Sequence, residues 1–256
     1  MNNEKNRSTR LNGLTRASSF NLQLIRTIKS HLFTALLLIF YFLPAHSSET
    51  YQFEDFKSQF GYFKQLTLGN YKKDPSRRIM KWTSDINIYL KDDLPPSWDT
   101  ELNKVLEELN QLTNHVSLIR VTDEESANFF IFSQSLESYH QFEPLAQDSG
   151  TDVLSLSFTK ENSNYELIHG SMLVRPLKFQ VPAYRKYILR TQLASSLGIF
   201  NTSRKYYDSI FLDGSIGVYA TEFSNLDKTI IKTLYDDCIK AGMDQVDLDD
   251  VLLNGC

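Results

Sequence analysis

Between Leu32 and Leu43 the chain runs through twelve residues, LFTALLLIFYFL, of which only Thr34 is strongly polar. Arg26 and Lys29 precede this block and Pro44 ends it. Twelve residues fall short of the about 20 that cross a bilayer as a helix. A basic flank, a short apolar run and the small residues of Ala45-His46-Ser47 together form the pattern of an export signal, with cleavage expected before Ser48. A buried core helix would need neither flank. An uncleaved anchor is the competing expectation, because the segment ahead of the block is long for a signal peptide. In both cases the positive flank holds the N-terminus on the cytoplasmic side. No cysteine follows the block closely enough to carry a lipid. Residues 1–47 are therefore read as a signal peptide or signal anchor. The body is expected to be exported, periplasmic or extracellular, or held at an inner membrane through residues 32–43.

Removing that segment changes the charge. It carries six of the 27 Lys and Arg and one of the 31 Asp and Glu, which leaves 21 basic against 30 acidic side chains, a net of −9. Such a body repels phosphate backbones and excludes nucleic acid as a partner. The two cysteines, Cys238 and Cys256, both lie beyond the signal, in a compartment that is usually oxidising. A disulfide between them would close a short loop and stabilise by roughly 3 kcal/mol. The other reading is a pair of unbonded thiols, with Cys238 as a small apolar residue of a helix.

Phe53, Phe56, Phe60 and Phe63 recur at helical spacing and predict a helix over 49–66 whose aromatic face packs on the domain; Gly69 to Arg78 reads as a linker. Ile86 to Leu90 alternates as a strand. Leu94-Pro95-Pro96 stops it, and Ser97 is placed to cap a helix running to Thr113, with Trp98, Leu102, Val105, Leu106 and Leu109 inward and Glu101, Lys104, Glu107 and Glu108 in water. Strands are expected at 116–121, 127–132, 153–158 and 166–174, with a short helix between Ser133 and Gly150. Pro182 suits the first turn of a helix that ends at Gly198, with Leu189, Leu193 and Leu197 on one face. A loop of some 25 residues follows. Ser224 and Asp227 make a capping pair for a last helix with Leu226, Ile230, Leu234 and Cys238 on one side.

Several runs in this order resemble the catalytic core of the metzincin zinc peptidases, nearest in layout to matrixins. Leu197-Gly198-Ile199 matches the glycine turn after the zinc helix, and Asp208-Ser209-Ile210-Phe211 resembles the Met-turn with Phe211 in place of methionine. Phe223 to Tyr235 resembles the closing helix. The same runs, with the Leu-Tyr-Asp to Gly-Met ending, resemble an exported bacterial family known as domain of unknown function 2927. The resemblance implies an α+β fold, a zincin-like twisted mixed sheet of about five strands with three main helices. It also implies the division 1–47 signal, 48–78 N-terminal helix and linker, 79–256 zincin-like domain.

The same register implies that Thr191 and Ser195 stand where the two helical histidines would be, Gln192 where the glutamate would be, and Asn201 where the third ligand would be. Hydroxyl and amide oxygens are poor donors to zinc, and an amide takes no proton from a metal-bound water. No metal, cofactor or zinc-peptidase catalytic residue is expected, and Ile210 and Phe211 are expected to keep only the shape of the Met-turn. His115, His140 and His169 stand singly in sequence, without ligand spacing. Asp244, Asp247, Asp249 and Asp250 lack the glycine and terminal glutamate of a calcium loop and read as a solvated face. Ser195 and Ser196 lie within a helix and not on a strained elbow. The leading expectation is a noncatalytic binding or envelope-associated module that takes an extended peptide or envelope protein beside Glu166–Val174. Two others remain open, a metal-independent hydrolase with Asp208 or Glu222 as base, and a structural partner in a membrane complex.

Overall fold

Phe129, Phe130, Ile131 and Phe132 are all buried, so the strand they form needs packing on both of its faces. In a computed structural model, which describes residues 48–69, 72–149, 153–176 and 181–254, that strand lies inside a six-stranded sheet. The expected signal at 1–47 and Cys256 lie outside the described residues. The chain divides into two compact units, Met1–Tyr51 and Gln52–Cys256, and the sheet with the helices packed on it belongs to the second.

The elements in order are α1 (Ser48–Leu68), β1 (Lys81–Trp82), β2 (Ile86–Leu90), α2 (Pro96–Asn110), β3 (Leu118–Arg120), β4 (Phe129–Phe132), α3 (Leu136–Phe142), β5 (Ser155–Glu161), β6 (Glu166–Val174), α4 (Pro182–Ser196), α5 (Asn225–Leu234) and α6 (Gln245–Asn254). The strand order is β1-β6-β4-β2-β3, with β5 beside β6. Every pairing is parallel except β5 with β6. The expected count of about five strands and three main helices is thus too small. The two-residue β1 joins the start of β6, and α1, α3 and α6 complete a set of six α-helices among the described residues. Among the described residues no helix is long and apolar enough to cross a membrane.

Alternation along β4 builds two cores. Phe129 and Ile131 face the larger, which gathers side chains of α1, α2, α4 and α5; Phe130 and Phe132 face a smaller one with Tyr139 and Leu173, closed by α3. In β6 one extra residue, Ile168, falls between the pairs Lys160–His169 and Glu161–Leu167, and this bulge returns Leu167 to the larger core. Gly170 has no substitute there, because a Cβ would stand 2.4 Å from the Phe129 ring.

Several expectations need correction. Glu166–Val174 is not an edge: β1 and β4 pair along it and β5 covers Leu167–Val174, so the outer strand at this end is β5. Glu101 is not in water but buried, because Arg190 of α4 reaches it across the α2–α4 contact. Ser97 is no cap. Pro95 holds the N-cap without a side-chain bond, and the Ser97 hydroxyl instead accepts from Arg185. Cys238 lies outside the last turn of α5, which ends at Leu234. The inward side of α1, where its side chains are described, is Tyr62, Phe63, Leu66 and Leu68, with Phe60 half-buried. The acidic run at 244–250, by contrast, keeps its carboxylates exposed or half-exposed, with Asp247, Asp249 and Asp250 on α6 and Asp244 just ahead of it. The Asp244 carboxylate accepts from the backbone N–H groups of Val246 and Asp247, and Asp249 pairs with Lys64 of α1.

Candidate functional site

Helix α4 begins with Pro182 at its first position and ends where Gly198 takes φ 116°. A Cβ on Gly198 would sit 2.0 Å from the Met80 carbonyl oxygen, so glycine is required by both the backbone and the neighbouring chain. Trp82 locks the same corner, its indole N–H donating to the Ser196 carbonyl at 2.9 Å. Tyr235, fully buried after α5, donates to the Leu197 carbonyl at 3.0 Å. The helix end is therefore held from two directions, and the side chains upstream of it have fixed directions.

Each of three positions singled out in the sequence is committed to a different element. The Thr191 hydroxyl donates to the Ile210 carbonyl at 3.1 Å. The Gln192 amide donates to the Ser155 hydroxyl of β5 at 3.1 Å. The Asn201 amide donates to the Leu66 carbonyl of α1 at 3.0 Å, and its backbone N–H reaches the same oxygen at 3.1 Å. Ser195 is half-buried on the Thr191 side of the helix, and its carbonyl accepts the N–H groups of Gly198 and Ile199 that close α4. Thr191 and Ile210 thus come together, while Asn201 faces α1. Among the described residues no group of three or more His, Cys, Asp or Glu has the arrangement of a metal site.

The turn at Ser209–Phe211 is wholly buried and rests on Asp227 of α5. That carboxylate accepts the Ser209 hydroxyl at 2.5 Å and the N–H groups of Ile210 and Ser224 at 3.1 and 2.9 Å. Tyr62 of α1 shares a hydrogen bond with Ser209 at 3.0 Å. Burial raises the Asp227 carboxyl above its ordinary value despite these donors, and burial together with the nearby Asp227 charge pushes Tyr62 up to about 12. The capping pair read from the sequence, Ser224 with Asp227, is present in both directions. Its second use, as the seat of the Ile210 turn, is not visible in a local pattern.

Two further features were not legible as a site. Tyr184 and Tyr187 on α4 pack edge-on and tilted against Tyr219, with ring centroids 5.4 and 4.9 Å apart, and Val181, Val218 and Tyr219 remain exposed. Arg190, fully buried, places its guanidinium on Glu101 at 2.7 Å, Glu108 at 2.9 Å and Glu222 at 3.3 Å. An arginine inside the apolar run of α4 is the one signal that points to it. Glu222 also pairs with Lys104 and Lys186 at 3.4 Å each; burial would raise its carboxyl, but Arg190 and Lys104 outweigh that and hold it below the ordinary value. Asp208, the other candidate base, is exposed next to the buried turn. Two of the three lone histidines face carboxylates: His169 lies 2.6 Å from the buried Glu143, which also accepts from Ser171, and His115 lies 3.3 Å from Asp237, while the His140 ring lies 6.4 Å from that of Tyr139.

The family model described as "Protein of unknown function (DUF2927)" matches residues 59–254, and the chain belongs to that family. No curated protein matches it.

Proposed function

We propose that this DUF2927 protein is an exported, noncatalytic binding module on a zincin-like scaffold, with an extended peptide of an envelope partner as its ligand. The observation that carries the reading is the use made of the positions implied by the metzincin resemblance. Thr191 and Gln192 tie α4 to the Ile210 turn and to β5, Asn201 ties the segment after α4 to α1, and no imidazole or carboxylate stands among them. Zinc hydrolysis needs both a ligand set and a base. The scaffold reading is supported by the order of parts: a mixed sheet, then α4 closed by Leu197-Gly198, then a buried turn bonded to α4, then the closing helix α5.

The peptide docks as an added strand on β5, whose ladder partner among the described strands is β6 alone. Gln192 and Ser155 mark where α4 meets this strand. Binding through main-chain hydrogen bonds requires no metal. Titration of the purified chain with a panel of extended envelope-derived peptides tests it, with each peptide paired with a copy N-methylated at alternate residues. Saturable binding that N-methylation abolishes is expected. Absence of saturable binding across the panel sinks the ligand, and stoichiometric zinc held at Thr191, Gln192, Ser195 or Asn201 sinks the noncatalytic reading.

Export rests on the Leu32–Leu43 block, and the mass of the mature N-terminus decides between cleavage before Ser48 and an uncleaved anchor. A Cys238–Cys256 disulfide belongs to the same proposal, resting on the position of both cysteines beyond the signal. The hydrolase alternative is weakened at Glu222, because pairing with Arg190, Lys104 and Lys186 lowers the basicity of its carboxylate.

A further inference from the structure

A cavity of about 220 Å³ lies between β1, the turn before β3 and the segment that follows α5. Lys81, Trp82, His115, Tyr235 and Asp237 are among its walls. Lys81 is 9 % exposed, an unusual place for a lysine without a carboxylate in contact. Its Nζ donates to the Ile239 carbonyl at 2.8 Å and lies 5.1 Å from the centroid of the buried Tyr235 ring. One N–H so directed holds the amine in place and leaves a neutral nitrogen its lone pair.

We propose that Lys81 is a reactive amine and that this cavity takes a small aliphatic aldehyde or ketone, which Lys81 captures as a Schiff base. The Nζ lone pair attacks the carbonyl carbon while the C=O π pair moves onto oxygen. Nitrogen then gives up its protons, oxygen receives them, and water departs as the C=N bond forms. No oxidant or reductant enters. The proton for the departing hydroxyl comes from solvent, to which the cavity is open. Trp82 and Tyr235 are almost wholly buried and offer little surface, so the volume of the cavity is what limits the carbonyl compound to a short chain.

Electrostatics agree with the geometry. Burial lowers Lys81 from 10.5 to about 8, assisted by Lys240 and opposed by Asp236 and Asp237. That shift raises the neutral fraction at pH 7 by roughly two orders of magnitude over an ordinary lysine, part of which is returned through lower intrinsic nucleophilicity.

The test uses the full chain, propanal as the probe and sodium cyanoborohydride to fix the adduct, with peptide mass mapping of every lysine. Lys81 should be propylated at least about tenfold faster than the exposed Lys160 and Lys228, given its neutral fraction. Its rate should saturate with propanal and level off above pH 8, where the exposed lysines still accelerate. The proposal is overturned if Lys81 reacts no faster than Lys160, or reacts only once urea has unfolded the chain. The mapping is done on the native sequence, so its outcome does not depend on whether a variant folds. Lys81→Met, checked for its native circular dichroism spectrum, should lose the fast adduct and keep the slow ones; retention of a fast, saturable adduct in it also overturns the assignment.

Discussion

Replacing Arg190 by methionine removes a cation with no solvent exposure and leaves its partners unevenly placed. The Glu101 side chain is 9 % exposed, that of Glu108 25 % and that of Glu222 53 %. Glu222 can turn to water and to Lys104 and Lys186, so its share is within about 1 kcal/mol. Glu101 cannot. A carboxylate left buried without its partner costs about 3–5 kcal/mol, and Arg190→Met should lose stability in that range. Removing both charges should be milder. In the double variant Arg190→Met with Glu101→Leu, at least about 2 kcal/mol of the two separate costs should fail to appear, because the stranded charge is gone. The assay is urea unfolding followed by tryptophan fluorescence, for which the chain is well equipped: Trp82 and Trp98 both sit in the larger core. A loss under about 1 kcal/mol for Arg190→Met, or additive losses in the cycle, would refute the claim that this pair is dry and mutually dependent.

Gly198→Ala should cost more than about 2 kcal/mol in the same assay, since a left-handed backbone and the Met80 carbonyl both oppose the added carbon. Asn201→Ala should cost only about 1 kcal/mol, because the Asn201 backbone N–H still reaches the Leu66 carbonyl. Lys81 is depressed in the fold to about 8 from 10.5, so between those values the unfolded chain binds more protons and stability rises with pH. Lys81→Met should flatten that rise, as read from urea midpoints at pH 7, 8, 9 and 10. Dialysis against a strong chelator should leave the thermal midpoint where it was, and a fall of several degrees would contradict the reading of Thr191, Gln192 and Asn201 as structural ties.

How far the sequence reached depends on whether the information was local. The span Glu166–Val174, Pro182 at the first turn of α4, the stop at Gly198 and the Ser224–Asp227 box are all written in neighbouring residues, and each appears as read. Errors arose where a distant partner decides. Glu101 follows the polar face of α2 by periodicity, yet Arg190, 89 positions along the chain, draws it inside. Glu166–Val174 looks like any strand, and nothing in it records that β4 and β5 occupy its two sides. The site positions show the same division. Their side-chain chemistry was sufficient to argue against zinc ligation, but not to say what the polar groups do instead, since Ile210, Ser155 and Leu66 lie 19, 37 and 135 positions away. A hydroxyl or amide must find a hydrogen-bond partner when buried. Here the partners belong to three different elements, so Thr191 and Gln192 hold α4 against the turn and the outer strand, while Asn201, five residues beyond α4, holds the following segment against the first helix.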